Sequence, residues 1–346
     1  MAQAKRIGIL TSGGDCPGLN AAIRGVGKTA IRTFGMEAIG FINGFQGLVS
    51  GEHVELSEES LSGILTMGGT ILGTSREKPF KAEPGDVGRK QEQILATIER
   101  LRLDCVVCIG GNGTMKTAHK LSKTGANVVG IPKTIDNDVW GTDLSFGYDS
   151  ALNVATEAID RLHTTANSHR RIMVVEVMGH GAGWLALSSG LASGGDVVLI
   201  PEIAWDEALV ARFLKDRAVR GKSYSIVVVA EGIALPAEAT AQGMSAGRWV
   251  AKRISELTGL ETRETILGYT QRGGSPTPMD RILATRLGTA AAGLIAAGDY
   301  GKMVALQGTE ITSIPLKDTA GRVKTVPPDH ALVRGSRLLG TCFGDA

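Results

Sequence analysis

The stretch RIGILTSGGDCPGLNAAIRGVGKTAIRTF, Arg6–Phe34, joins a short apolar run to a glycine-rich loop and then to an amphipathic helical pattern. The same succession recurs in DCVVCIGGNGTMKTAHKLSKTG (Asp104–Gly125) and in RIMVVEVMGHGAGWLALSSGLASG (Arg171–Gly194). Continuous apolar runs that alternate with helices predict an α/β fold with a parallel sheet covered on both faces. VVGIP, DVVLIP, YSIVVVAEG and MVALQG are further predicted strands; DEALVARFLKDRAVRG, AGRWVAKRISELTG and DRILATRLGTAAAGLIAAG are further predicted helices. In open parallel sheets ligands bind beyond the carboxyl ends of strands, where these glycine loops lie.

A chain of 346 residues, 43% hydrophobic, can bury a large core and predicts two lobes. Residues 1–138, joined by a returning segment near 300–346, are expected to form one lobe, and residues 139–300 the other. No proline- or serine-rich linker separates them, and there is no fixed-period repeat or low-complexity segment. Lysine and arginine number 37 against 35 acids, so a net charge of +2 offers no global field for nucleic acid or an anionic membrane. Anion binding must be local. The opening MAQAKRIGIL is too short an apolar stretch for a signal peptide, no run approaches the roughly 20 residues of a membrane span, and the expected location is cytoplasmic. Cys16, Cys105, Cys108 and Cys342 are too few and too irregular for a disulfide framework. Cys105 and Cys108 fall in one strand, where residues three apart face opposite ways, and so read as small buried hydrophobes.

Two loops carry the phosphate-binding pattern. TSGGD (Thr11–Asp15) and GGNGT (Gly110–Thr114) place paired glycines between strand and helix, where backbone N–H groups can face an anion at close range. Neither is a Walker A or GxGxxG sequence, and either alone is compatible with a simple tight turn. Forty-seven glycines, about twice the usual share, fit many such loops. PKTIDND (Pro132–Asp138) sets two aspartates at i and i+2, on one side of an extended segment. A general base beside a metal ligand and an Asx-rich turn both fit those residues. Arg170, Arg171, Arg263 and Arg272 supply planar donors suited to phosphate, and after Arg272 the glycines and Ser275 add further donors. His163, His169 and His180 lack metal-ligand spacing.

Taken together, TSGGD, GGTILGTSR ending at Arg76, GGNGT, KTIDND, SHRRIMVVEVMG and QRGGSP resemble the 6-phosphofructokinase family, in family order and over nearly the whole chain. The resemblance implies a two-lobed α/β phosphofructokinase-type fold, with the first lobe binding the donor and the second the sugar phosphate. The implied reaction is ATP- and Mg2+-dependent transfer of a phosphoryl group to the 1-hydroxyl of fructose 6-phosphate in glycolysis. It also implies a homotetramer whose active sites are shared across a subunit interface. Asp136 matches the general base, Asp138 and Asn112 the metal side, and Thr134 and Lys133 the transferring phosphoryl group. Arg171 and Arg263 match arginines lent by a neighbouring subunit to the sugar phosphate. Met178, Gly179, His180, Glu231, Tyr269 and Arg272, with Thr134 and Asp136, match the remaining sugar-phosphate contacts. Gly14, Arg76, Gly111, Asn112, Gly113 and Thr114 match donor contacts.

The same resemblance bears on donor choice. An aspartate at position 113 accompanies pyrophosphate use, because it fills and repels the space of the α-phosphate of ATP; Gly113 leaves that space open. Lys133 points towards pyrophosphate, which stands as the alternative donor, and a non-catalytic binding homologue is a further alternative. Asn112 stands where an acid is common, His180 where an arginine is common, and Thr117 where glycine is common. Arg24, Lys28, Arg220 and Lys222 match basic residues of an effector site, in which His53 and His163 replace arginines.

Overall fold

The computed structural model describes residues 5–81 and 88–345. In chain order the strands are β1 (Arg6–Ser12), β2 (Glu37–Phe41), β3 (His53–Leu56), β4 (Cys105–Gly110) and β5 (Val128–Pro132). They are followed by β6 (Ile172–Val177), β7 (Val197–Leu199), β8 (Ser225–Ala230), β9 (Thr262–Ile266), β10 (Lys302–Gln307) and β11 (Glu310–Pro315). They form two sheets, one in the order β11-β10-β5-β4-β1-β2-β3 and one in the order β7-β8-β6-β9.

The apolar runs become central strands because both faces of each are covered. Every residue of β4 and β5 is buried, including the free thiols Cys105 and Cys108. Burial pushes both thiols well above the usual cysteine range, which fits inert packing groups. The smaller sheet is parallel throughout. The larger departs from the all-parallel expectation at its edges, where β2–β3 and β10–β11 are antiparallel. At the second edge Gly308 (φ 61°) and Thr309 close a two-residue hairpin, which needs no crossover helix.

The chain divides into two compact units: residues 1–134, 138–150 and 272–324 in the first, and 135–137, 151–271 and 325–346 in the second. These boundaries differ from the expected 1–138, 139–300 and 300–346. The helix Pro278–Ala296 belongs with the first unit because it packs closely on the helix Leu19–Phe34. A Cβ on Gly25 would lie 2.9 Å from the Thr285 carbonyl oxygen, and one on Gly288 2.7 Å from that of Ala22, so neither position tolerates a side chain. The segment from Thr325 onward belongs with the second unit because Val326, Val333 and Phe343 are buried in its core. Full burial of such side chains stabilises by roughly 1.5–3 kcal/mol each. Among the described residues no helix is long and apolar enough to cross a membrane.

Candidate active site

In the first unit two glycine loops leave adjacent parallel strands. β1 runs into Gly13, whose φ of 86° is left-handed and suits glycine. The segment that ends in Arg76 is stitched to this loop. Gly13 N–H donates to the Ser75 carbonyl (3.0 Å), Thr74 Oγ1 to the Gly13 carbonyl (2.7 Å) and Thr11 Oγ1 to the Gly73 carbonyl (2.6 Å). From the other side, Lys133 Nζ donates to the Gly14 carbonyl and Arg272 Nη1 to that of Asp15 (3.1 Å). The guanidinium lies so close over the loop that a Cβ on Gly14 would sit 2.6 Å from Nη1.

β4 delivers the second loop. Gly111 precedes the helix Asn112–Ser122, whose N-terminus offers free N–H groups and a positive dipole end to an anion. Thr114 Oγ1 ties this turn back to the Ser12 carbonyl at 3.3 Å. A Cβ on Gly113 would meet nothing within 4 Å. Gly113 is exposed at the start of this helix.

The PKTIDND turn follows β5. Lys133 N–H donates to the Gly110 carbonyl (3.0 Å) and Thr134 N–H to that of Phe146 (3.3 Å). Asn137 has φ 51°, so the segment is not extended, and strand alternation does not set the two aspartates on one side. Asp136 instead groups with the second unit and Asp138 with the first. Asp138 is 7% exposed, and Asn112 Nδ2 donates to both its Oδ2 (2.8 Å) and its carbonyl (3.1 Å). Those bonds fix the amide so that Asn112 Oδ1, buried and without a hydrogen-bond partner, is left as an acceptor. One carboxylate and one orphaned amide oxygen suit Mg2+, which is commonly held by one or two protein oxygens with phosphate and water. No cluster of three His, Cys, Asp or Glu capable of holding a metal occurs among the described residues. The donor set fits an ion that arrives with phosphate.

In the second unit, the loop after β6 carries Met178, Gly179 and His180. Gln271 Oε1 accepts from Met178 N–H at 3.3 Å, and Glu231, which follows β8, accepts from His180 N–H at 2.9 Å. His180 (φ 52°) and Gly179 (φ 141°) are both in left-handed backbone, and Gly232 allows close approach: a Cβ there would lie 1.9 Å from the His180 carbonyl oxygen. Tyr269 is exposed on the short turn before Arg272. Arg171 and Arg263 lie elsewhere on this sheet. They precede β6 and stand second in β9, and both donate to Glu261 Oε1 (2.8 and 2.7 Å). The Arg171 hydrogen bond is the larger cause that holds the Glu261 carboxyl below its ordinary range. Met178, Gly179, His180 and Glu231 are thus at the carboxyl ends of strands and Arg171 and Arg263 at the amino ends.

Residues 6–295 match the sequence model described as phosphofructokinase. The chain belongs to the phosphofructokinase family. It is 58% identical to ATP-dependent 6-phosphofructokinase 3 of Bacteroides thetaiotaomicron, over 98% of this chain and 100% of that protein. It is 56% identical to the ATP-dependent 6-phosphofructokinase of Spirochaeta thermophila, over 99% and 98%. A pyrophosphate--fructose 6-phosphate 1-phosphotransferase of Amycolatopsis methanolica is 47% identical, over 94% and 97%. Among solved structures, the T-state phosphofructokinase of Pichia pastoris superposes with a TM-score of 0.83 at 32% identity, covering 92% of this chain and 36% of that longer one.

All the sequence-predicted site residues fall inside the span matched to phosphofructokinase, from Gly14 to Arg272. The fold brings Gly14, Arg76, Gly111–Thr114, Lys133, Thr134, Asp138 and Arg272 into the first unit. Gln271, which accepts from Met178 N–H, and Lys324, which donates to the Asp138 carbonyl, are partners of predicted site residues that were not singled out. Gln271 could have been found as the wholly buried neighbour of Arg272 in QRGGSP; Lys324 lies in a stretch with no motif.

Proposed function

We propose that this phosphofructokinase transfers the γ-phosphoryl group of ATP to the 1-hydroxyl of fructose 6-phosphate, giving fructose 1,6-bisphosphate in the cytoplasm as a step of glycolysis. The observation that carries the donor assignment is the empty space at Gly113, beside a helix N-terminus that can take phosphate. Asp136 accepts the proton of the attacking hydroxyl, and Thr134 and Lys133 lie along the transferring group. Phosphoryl transfer needs little covalent help and depends on in-line positioning and cancellation of charge. Mg2+ bound with the donor phosphates, held by Asp138 and Asn112 Oδ1, would supply part of that cancellation. Gly14, Arg76 and the Gly111–Thr114 turn hold the donor. Met178, Gly179, His180, Glu231, Tyr269 and Arg272 hold the acceptor.

Arg171 and Arg263 serve the sugar phosphate of a neighbouring copy in a homotetramer. Arg171 and Met178 flank the six residues of β6, which at about 3.3 Å per residue separates them by roughly 20 Å. One hexose phosphate cannot span both on the same chain. Mixed oligomers of Asp136→Asn and Arg263→Ala chains should therefore regain activity that neither variant has alone; no recovery would place the whole site in one chain.

Pyrophosphate use is the second reading, favoured by Lys133 and by the 47% identical pyrophosphate-dependent relative. Fructose 1,6-bisphosphate formation measured with ATP or pyrophosphate as sole donor decides between them. ATP should support turnover; product with pyrophosphate alone would overturn the proposal. Asp136→Asn should lower kcat by on the order of 10²–10⁴ while leaving fructose 6-phosphate binding largely intact.

A further inference from the structure

The run Asp138–Asp143 carries the proposed metal carboxylate through a stretch with no helix or ladder of its own, so its backbone groups need partners from elsewhere. One residue of the returning C-terminal segment supplies several. Lys324 N–H donates to the Asp138 carbonyl at 2.8 Å, next to an isolated antiparallel bridge between Val139 and Val323. Its Nζ then reaches along the run to the Thr142 carbonyl (2.9 Å) and the Asp143 carbonyl (2.8 Å). The far end is also anchored to β10: Leu306 N–H donates to Thr142 Oγ1 (3.0 Å), and Asp143 N–H to the Leu306 carbonyl (2.8 Å).

A partly buried ammonium is costly and is retained where its bonds are specific. Here it lies in the field of Asp143 and Asp138, and Asp138 is itself buried under the Asn112 amide. We propose that Lys324 is a positioning residue for the metal: by clamping both ends of Asp138–Asp143 it holds the Asp138 carboxylate opposite Asn112 Oδ1. It acts through Asp138 and touches no reacting atom. Lys324 lies beyond the residues matched to the family, 6–295, so the family match assigns it nothing. The inference rests on the reading of Asp138 as a metal ligand.

Outer-shell supports of metal ligands change metal affinity by about 10–100-fold when removed. The test is Mn2+ binding, read by electron paramagnetic resonance in the presence of a non-hydrolysable ATP analogue, on wild type, Lys324→Met, Lys324→Arg and Asp138→Asn. Lys324→Met should bind Mn2+ about tenfold more weakly, Lys324→Arg within about threefold of wild type, and Asp138→Asn at least as weakly as Lys324→Met. A folded Lys324→Met chain with unchanged or tighter Mn2+ binding, alongside a weakened Asp138→Asn, overturns the role of Lys324 alone. Unchanged binding in Asp138→Asn overturns the ligand assignment and the inference with it. If Lys324→Met melts below the assay temperature, Lys324→Gln, too short to bridge both carbonyls, replaces it with the same expected loss.

Discussion

The two glycine loops of the first unit begin alike, as turns between a buried strand and a helix, and end up opposite in character. The loop at Gly13–Asp15 is crowded: Lys133 and Arg272 occupy its carbonyls, Ser75 takes the Gly13 N–H, and Arg272 covers Gly14. The loop at Gly111–Thr114 is tied down by Thr114 on Ser12, by Asn112 on Asp138 and by Thr117 Oγ1 on the Gly113 carbonyl, and a Cβ at Gly113 would still meet nothing within 4 Å. A crowded loop holds a fixed group in place, whereas an open one sets the size of what can enter. Discrimination between donors should therefore reside in the second loop and positioning in the first.

Substitutions can break that contrast. The largest effect is expected from Gly113→Asp, which puts a carboxylate into the open space: kcat/KM for ATP should fall by at least tenfold while that for pyrophosphate changes little. Equal losses for both donors would remove donor choice from this loop. Gly14→Ala comes next. Its backbone accommodates alanine and the collision is with the end of a flexible side chain, so the chain should melt within a few degrees of wild type. The displaced Arg272 should nonetheless raise the KM for fructose 6-phosphate about tenfold, whichever donor is used. Lys133→Met loosens the Gly14 carbonyl and should raise the KM for both donors several-fold; an effect on pyrophosphate alone would make this lysine a donor selector. Gly113→Ala, which adds one methyl to open space early in a helix, should leave both donors within about twofold of wild type and slightly raise the melting temperature.

Much of this was legible from residue order. The apolar runs of β1, β4, β5, β6 and β8 are buried on both faces, so no polar alternation obscures them, and the glycine loops follow at their carboxyl ends. The lobe boundaries were not legible, because Gly25 and Gly288 join helices more than two hundred residues apart and nothing local announces the partner. β9 was missed because TRETI is mostly polar: it lies at the edge of its sheet and leaves Arg263 exposed. Asp136 and Asp138 stand out in the sequence as a pair, but the extended geometry used to explain it fails at Asn137, whose backbone is left-handed (φ 51°). Lys324 was invisible because what requires a lysine there is two side-chain contacts to the Thr142 and Asp143 carbonyls, with no sequence pattern.

The most direct measurement is the ratio of kcat/KM for ATP to kcat/KM for pyrophosphate, with saturating fructose 6-phosphate, in wild type and in Gly113→Asp. Wild type should favour ATP by well over tenfold, and the aspartate should reduce that ratio by at least tenfold. A wild-type ratio below one, or a ratio that Gly113→Asp leaves unchanged, would contradict the assignment of donor choice to the open loop.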